Sequence, residues 1–310
     1  MNAASFSGDR GVKPLLPFWE RAGRGGGGRH GGGVFEIIAK QAAQRYRSCG
    51  ITAWQFARGK LLGDPVYRAV WDGPWLKRGG TVIDLGCGQG LMLALIAEGR
   101  AAERGVVEAG AEREDGNLDR ITGLTGLGEL RTKGEGPLEN SAHRAGRAFS
   151  EPTGTSALLR GRLVGIELRA KVAGIARRAL GEDAEIIAAD ARVEALPVAR
   201  TILIFDVLHM MPAADQEALV RGLVAALEPG GTLLLREADA GAGWRFQAVN
   251  VANRAKAFFF GYSSKGFCFR TAAGWRALLE STGLGVEVWP MGKGTPYGNV
   301  LLVGTKAKAG

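Results

Sequence analysis

Between Thr81 and Gly90 the chain reads TVIDLGCGQG, an acid and three alternating glycines set between two apolar runs. Asp84 can offer a carboxylate to a cation. Gly86, Gly88 and Gly90 can let a ligand lie against the backbone, and the run LMLALIAEG that follows can present free N–H groups at a helix start. Cys87, between two of the glycines, reads as a small residue that fits the turn. The spacing is G-x-G-x-G. A dinucleotide fingerprint would need glycine at position 91, where Leu91 stands, which argues against a nicotinamide or flavin ligand.

Acids recur at the ends of later apolar runs. Glu167 closes LVGIEL, Asp190 closes AEIIAAD with Ala191 behind it, and Asp206 lies in IFDVLHMMP with His209 three residues on. Ligands of open α/β sheets bind beyond the carboxyl ends of the strands, so these positions could share one crevice. An acid at the second strand end can accept both hydroxyls of a ribose. Glu108 in GVVEAG competes with Glu167 for that role, but VVE is too short for a buried strand and no βα unit follows it closely. His209, with an unperturbed pKa near neutrality, suits a base or a substrate contact. His30 and His143 lie in polar, glycine-rich surroundings and read as solvated bystanders.

The elements that must hold these residues follow from periodicity. Residues 1–33 end in AGRGGGGRHGGG, cannot bury a core, and read as a disordered tail. Residues 34–79 read as a helical cap of three helices, the last opened by Asp64 as N-cap and Pro65 as first helical residue. Residues 80–310 alternate strands and helices, which predicts a Rossmann-like, doubly wound α/β sheet of seven strands with an antiparallel final strand. Residues 101–160 interrupt that alternation with Gly, Glu, Arg, Ser and Thr and no sustained period. They read as a disordered insertion, with a functional lid as the alternative.

At 310 residues and 46% hydrophobic content the chain can bury a sizeable core. It contains no apolar run of the roughly 20 residues that span a bilayer. The N-terminal stretch MNAASFSGDRGVKP lacks a secretory apolar block, so a cytoplasmic location is expected. Cys49, Cys87 and Cys268 are odd in number and far apart, which suggests neither a disulfide framework nor a zinc site. The net charge of +9 is spread without a dense Lys/Arg block and would suit an anionic substrate or an acidic carrier partner.

Val82 to Gly90 resemble the first motif of class I S-adenosylmethionine-dependent methyltransferases. The resemblance implies that Asp84 approaches the methionine ammonium, that the turn around Gly86 and Gly88 carries the cofactor, and that Asp190 and Ala191 read the adenine amino group. It places Asp206 and His209 close to the transferred methyl. FARGKLLGDPVYRAV, DLGCGQGLMLAL, FDVLHMM, LLLREAD and GTPYGNVLLV together resemble the methyltransferases of bacterial aryl polyene pigment clusters, whose acceptor would be a phenolic aryl group that an acyl carrier protein can bear.

No N-P-P-[YFW] tetrad or Pro-Cys nucleophile is present, so amino-group methylation of adenine or glutamine and cytosine-C5 chemistry are not expected. A small-molecule acceptor remains, with Trp54, Phe56, Tyr67, Trp71, Trp244, Phe246 and Phe258 to Phe260 as candidates to line its pocket. RNA methylation and non-catalytic cofactor or carrier binding are the competing functions.

Overall fold

The runs of branched and leucine side chains that end at Leu85, Ile166, Phe205 and Ala238 are apolar on both faces, as strands buried between helix layers must be. The computed structural model describes residues 30–76, 80–104, 161–260 and 267–308. Seven strands form one sheet: β1 (Val82–Leu85), β2 (Leu163–Ile166), β3 (Glu185–Ile187), β4 (Ala199–Phe205), β5 (Leu227–Ala238), β6 (Leu284–Pro290) and β7 (Asn299–Lys306). Their order is β3-β2-β1-β4-β5-β7-β6, parallel except for β7, which runs against both neighbours. β1 pairs with β2 on one side and β4 on the other, so the strand order reverses there, the point at whose carboxyl ends open α/β sheets place their ligand crevice. This is the doubly wound architecture expected from the sequence.

The helices divide into a cap and two layers. The cap comprises α1 (His30–Gln44), α2 (Ile51–Gly63) and α3 (Pro65–Asp72). Residues 91–104 form α4; then follow α5 (Ala170–Leu180), α6 (Ala213–Ala226), α7 (Trp244–Phe260) and α8 (Ala272–Ser281). Side chains alternate across each strand. Leu203 and Leu234 therefore join the cap, α4 and α5 in one core, while Ile202, Ile204, Leu233 and Leu235 meet α6 and α8 in the other, where Trp275 is fully buried.

The cap is tied to the sheet layer by polar anchors. Tyr46, fully buried, donates its hydroxyl to the Gln89 carbonyl in the glycine turn at 2.8 Å. Arg45 pairs with Glu98 on α4 at 2.5 Å and with Asp183 at 2.8 Å. Asp64 accepts from the Val66 amide at 3.2 Å, and with Pro65 behind it starts α3.

Several boundaries differ from the sequence expectation. Helix α1 starts at His30, inside the glycine-rich stretch. Helix α4 runs on through 104, because Ala101, Ala102, Glu103 and Arg104 favour helix, so the expected insertion begins later than 101. Helix α6 stops at Ala226, and the Pro229-Gly230 pair lies within β5. β3 ends at Ile187, short of Asp190. Residues 1–29 and 105–160, which hold most of the expected tail and insertion, lie outside the described residues, as do His143 and Glu108.

Arg100 of α4 donates to the Gly161 carbonyl just before β2 at 2.7 Å, so the described residues on the two sides of 105–160 lie close together. Replacing residues 106–158 by a short Gly/Ser link is expected to leave the thermal unfolding midpoint within a few degrees, because a short loop closes that gap. A collapse of the cooperative transition in differential scanning calorimetry would show that the segment is needed by the fold.

Candidate functional site

The glycine turn is held from the β2 side. The Gly86 and Cys87 amides both donate to the Ile166 carbonyl, at 2.7 and 3.1 Å, and the Gly88 amide donates to Glu167 Oε2 at 3.0 Å. A Cβ at Gly86 would sit 2.3 Å from Val207, and one at Gly90 would sit 2.7 Å from Leu180 of α5. Both positions also have positive φ, so glycine is required by packing and by backbone together. Gly88 has positive φ as well, but a Cβ there would meet nothing within 4 Å. That opening is where a ligand can approach the backbone.

Asp84, on β1, is 5% exposed, and among the described residues nothing donates a hydrogen bond to its carboxylate. Burial, reinforced by the Glu167 charge, pushes its pKa up to about 7. Burial and the same two acids push the Cys87 thiol far up, so it is a packed, unreactive group against β2. Glu167 is 4% exposed; its Oε1 accepts from the Arg169 amide at 3.0 Å and from Arg169 Nε at 2.7 Å. Three bonds leave lone-pair capacity on that carboxylate.

Asp84, Glu167 and the glycine turn are thus brought together. Asp190 stands apart at the β3 side. Its carboxylate accepts from the Arg192 amide and side chain, which lower its pKa, and Arg192 also reaches Asp215 at 3.1 Å. Ala191, half-buried, begins the turn that the Asp190 carbonyl closes by accepting from the Val193 and Glu194 amides.

Asp206, immediately after β4, adopts φ 58° and is the non-glycine residue with positive φ among those described. It pairs at 3.1 Å with Arg236 of β5, whose Nη1 also holds Asp64 at 2.8 Å. Burial opposes charge on both Arg236 and Asp64. The guanidinium is nonetheless held protonated by Asp206 and Asp64, while Arg236 and Lys60 hold the Asp64 carboxyl below its ordinary value. Tyr67, one turn into α3, is 8% exposed, and burial followed by Asp64 and Asp84 pushes its phenol far up.

His209 follows in the short 3-10 turn Leu208–Met210. Its Nδ1 lies 2.8 Å from Glu237 Oε2, and Glu237 Oε1 accepts from the Leu208 amide at 2.7 Å and the His209 amide at 3.3 Å. A proton on Nδ1 directed at the carboxylate fixes the orientation of the ring. The imidazole stacks on Phe269, with centroids 4.9 Å apart and planes 9° apart, and meets Phe267 edge-on; Phe246 in turn abuts Phe269. Gln216, fully buried, fastens this turn by donating to the Leu208, Met211 and Cys268 carbonyls.

Sequence reasoning missed Glu237, Arg236 and Asp64 as site residues. The signal for Arg236 and Glu237 was available, as an ion pair's worth of charge inside the apolar run LLLREAD. Asp64 was legible as a cap, but its second role depends on a contact across 172 positions of sequence.

A seven-stranded doubly wound sheet with reversed β7 and a glycine turn after β1 defines a Rossmann-like fold of the methyltransferase type. The chain belongs to the methyltransferase domain family, whose model matches residues 54–287. A search of curated proteins finds no match. Among solved structures, an O-methyltransferase family protein from Burkholderia thailandensis aligns at TM-score 0.52 and 15% identity, over 86% of this chain and 64% of that one. Human N-acetylserotonin methyltransferase in complex with SAM aligns at 0.47 and 15%, over 89% and 59%. Magnesium protoporphyrin IX methyltransferase from Synechocystis with bound SAH aligns at 0.44 and 14%, over 93% of each chain. The chain spans less than two thirds of the length of the first two. At such identities the likeness is one of fold. Among the described residues no helix is long and apolar enough to cross a membrane.

The folded protein binds the Asp84 proton more tightly than the unfolded chain does. The stability this supplies is present below the unfolded pKa and is lost as pH rises through about 7. Ligand-free wild type is therefore expected to lose more unfolding free energy than Asp84→Asn between about pH 4 and pH 8, by up to about 4 kcal/mol. Urea titrations at several pH values measure this, and parallel curves would contradict it.

Proposed function

We propose that the chain transfers a methyl group from S-adenosylmethionine to a hydroxyl group of a small aryl acceptor. The observation that carries the reading is the buried Glu237–His209 pair beyond the carboxyl ends of β4 and β5, set among Phe267, Phe269 and Phe246. Family membership supplies the reaction type, and the residues of the crevice fit the cofactor. Asp84, buried without a donor, suits an ammonium; the open face of Gly88 admits a ligand to the turn; Glu167 retains acceptor capacity at the β2 end.

When bound, S-adenosylmethionine supplies an electrophilic methyl group. The protein's part is then alignment and proton removal. Glu237 fixes the imidazole and its tautomer, and His209 Nε2 takes the acceptor's hydroxyl proton as the oxygen attacks. The phenylalanines form an apolar, flat-sided wall that suits an aromatic ring and excludes water. Asp206, at the β4 end, is held by Arg236, and Asp190 with Ala191 remains the proposed adenine side.

The resemblance to aryl polyene methyltransferases supports a phenolic acceptor in cytoplasmic secondary metabolism, borne on an acidic acyl carrier protein. The net charge of +9 would favour that encounter.

His209→Gln is expected to lower the methylation rate of a phenolic acceptor by about 10²-fold or more, while calorimetric binding of S-adenosylhomocysteine stays near wild type. Glu237→Gln should give a smaller loss. Methylation assays across phenols and carrier-bound aryl acids test the reading, and an unchanged rate in both variants would contradict it. Cofactor binding should also release protons below about pH 7, as Asp84 ionises to meet the ammonium; heats measured in buffers of different ionisation enthalpy report this.

A further inference from the structure

Two polar groups of the crevice are more than nine-tenths buried and have no hydrogen-bond partner among the described residues: the Asp84 carboxylate and the Tyr67 hydroxyl. They belong to different layers, β1 and the cap helix α3, yet Asp84 lies within electrostatic reach of Tyr67. Asp64, Asp206 and Arg236 act on the same phenol. A native interior leaves few such groups unpaired, and two of complementary hydrogen-bonding capacity within electrostatic reach of each other point to a ligand that satisfies both.

The position of Tyr67 is fixed from both ends of its first turn. Asp64 caps α3 and is held by Arg236, which stands on β5 in the middle of the sheet. Lys60 holds the same carboxylate at 2.5 Å. The Tyr67 amide donates to the Asp64 carbonyl at 3.3 Å. Helix α3 is therefore registered to the sheet one turn from the phenol. The phenol itself stays protonated, since burial and the surrounding acids oppose its ionisation, and can act as a donor.

The surrounding charge selects the ligand. Asp64, Asp84 and Asp206 outnumber Arg236, so a simple anion would be repelled. A zwitterion is different, because its ammonium meets an acid while its carboxylate meets a neutral donor and the guanidinium field. Arg236 Nε, buried and without a partner, adds to that field.

We propose that Tyr67 donates its hydroxyl proton in a hydrogen bond to the amino-acid carboxylate of the cofactor, opposite the ammonium at Asp84, and that the Asp64–Arg236 pair positions it there. The inference rests on the cofactor proposed above. It makes the cap a part of the binding site as well as a cover for it.

Isothermal titration of the full chain with S-adenosylhomocysteine and with 5′-methylthioadenosine, which lacks the amino-acid end, tests it. Tyr67→Phe is expected to weaken S-adenosylhomocysteine by about tenfold or more and to leave 5′-methylthioadenosine unchanged, as the loss of one hydrogen bond to a charged group requires. Asp64→Asn, which keeps a capping side chain, should show the same selectivity with a smaller loss and faster amide exchange in residues 65–72. Equal binding of S-adenosylhomocysteine by wild type and Tyr67→Phe would overturn the inference and leave the cofactor assignment standing. Equal losses for both ligands would overturn it in favour of a structural tyrosine. Wild type that binds neither ligand would overturn the cofactor assignment and this inference with it.

Discussion

A carboxyl group sits on an interior strand of the sheet, with no donor to satisfy it among the described residues, and the surrounding architecture follows from that constraint. Asp84 cannot ionise cheaply in such a place, and Glu167 beside it raises the cost. The glycine turn that follows must bend sharply enough to leave room above the carboxylate, so Gly86 is pressed against Val207 and Gly90 against α5, while Gly88 is left open. Glu167 then serves two elements at once, bonding the turn through Gly88 and the entrance of α5 through Arg169. The site is preorganised by backbone and by packing, with one unsettled charge at its centre.

Arg236 performs the corresponding task for the rest of the crevice. It is buried to 5% exposure on β5 and gathers Asp64 from the cap and Asp206 from the end of β4. Its neighbour in sequence, Glu237, points to the opposite face and gathers the turn that carries His209. Two adjacent strand residues thus organise two halves of the site, because successive side chains on a strand face opposite ways. Removing one member of such buried pairs would leave its partner uncompensated, which is costlier than never having had the pair.

The sheet, its reversed last strand and the glycine turn were legible in the sequence because each is encoded locally. Branched runs, an acid before alternating glycines and Asp64-Pro65 each state their structure within a few residues. Glu167, Asp206 and His209 were legible as strand-end residues for the same reason. Glu237, Arg236 and Tyr67 were not legible in their roles. A lone acid or arginine in a strand, or a tyrosine in a helix, has no local signature that names its partner, and pairing across the fold is decided by topology. Asp190 shows the reverse limit: its strand-end position was clear, but its engagement by Arg192, which also pairs with Asp215, was not.

Asp206 carries a consequence for how this position can vary. Its left-handed backbone is one that aspartate tolerates and glycine prefers, at a difference of about 1 kcal/mol, and its exposed carboxylate shares Arg236 with the better-placed Asp64. The backbone is therefore nearly indifferent between aspartate, asparagine and glycine there. What an acid at 206 adds is charge, set against the buried guanidinium of Arg236, and an asparagine or glycine there would keep the turn and lose that charge alone.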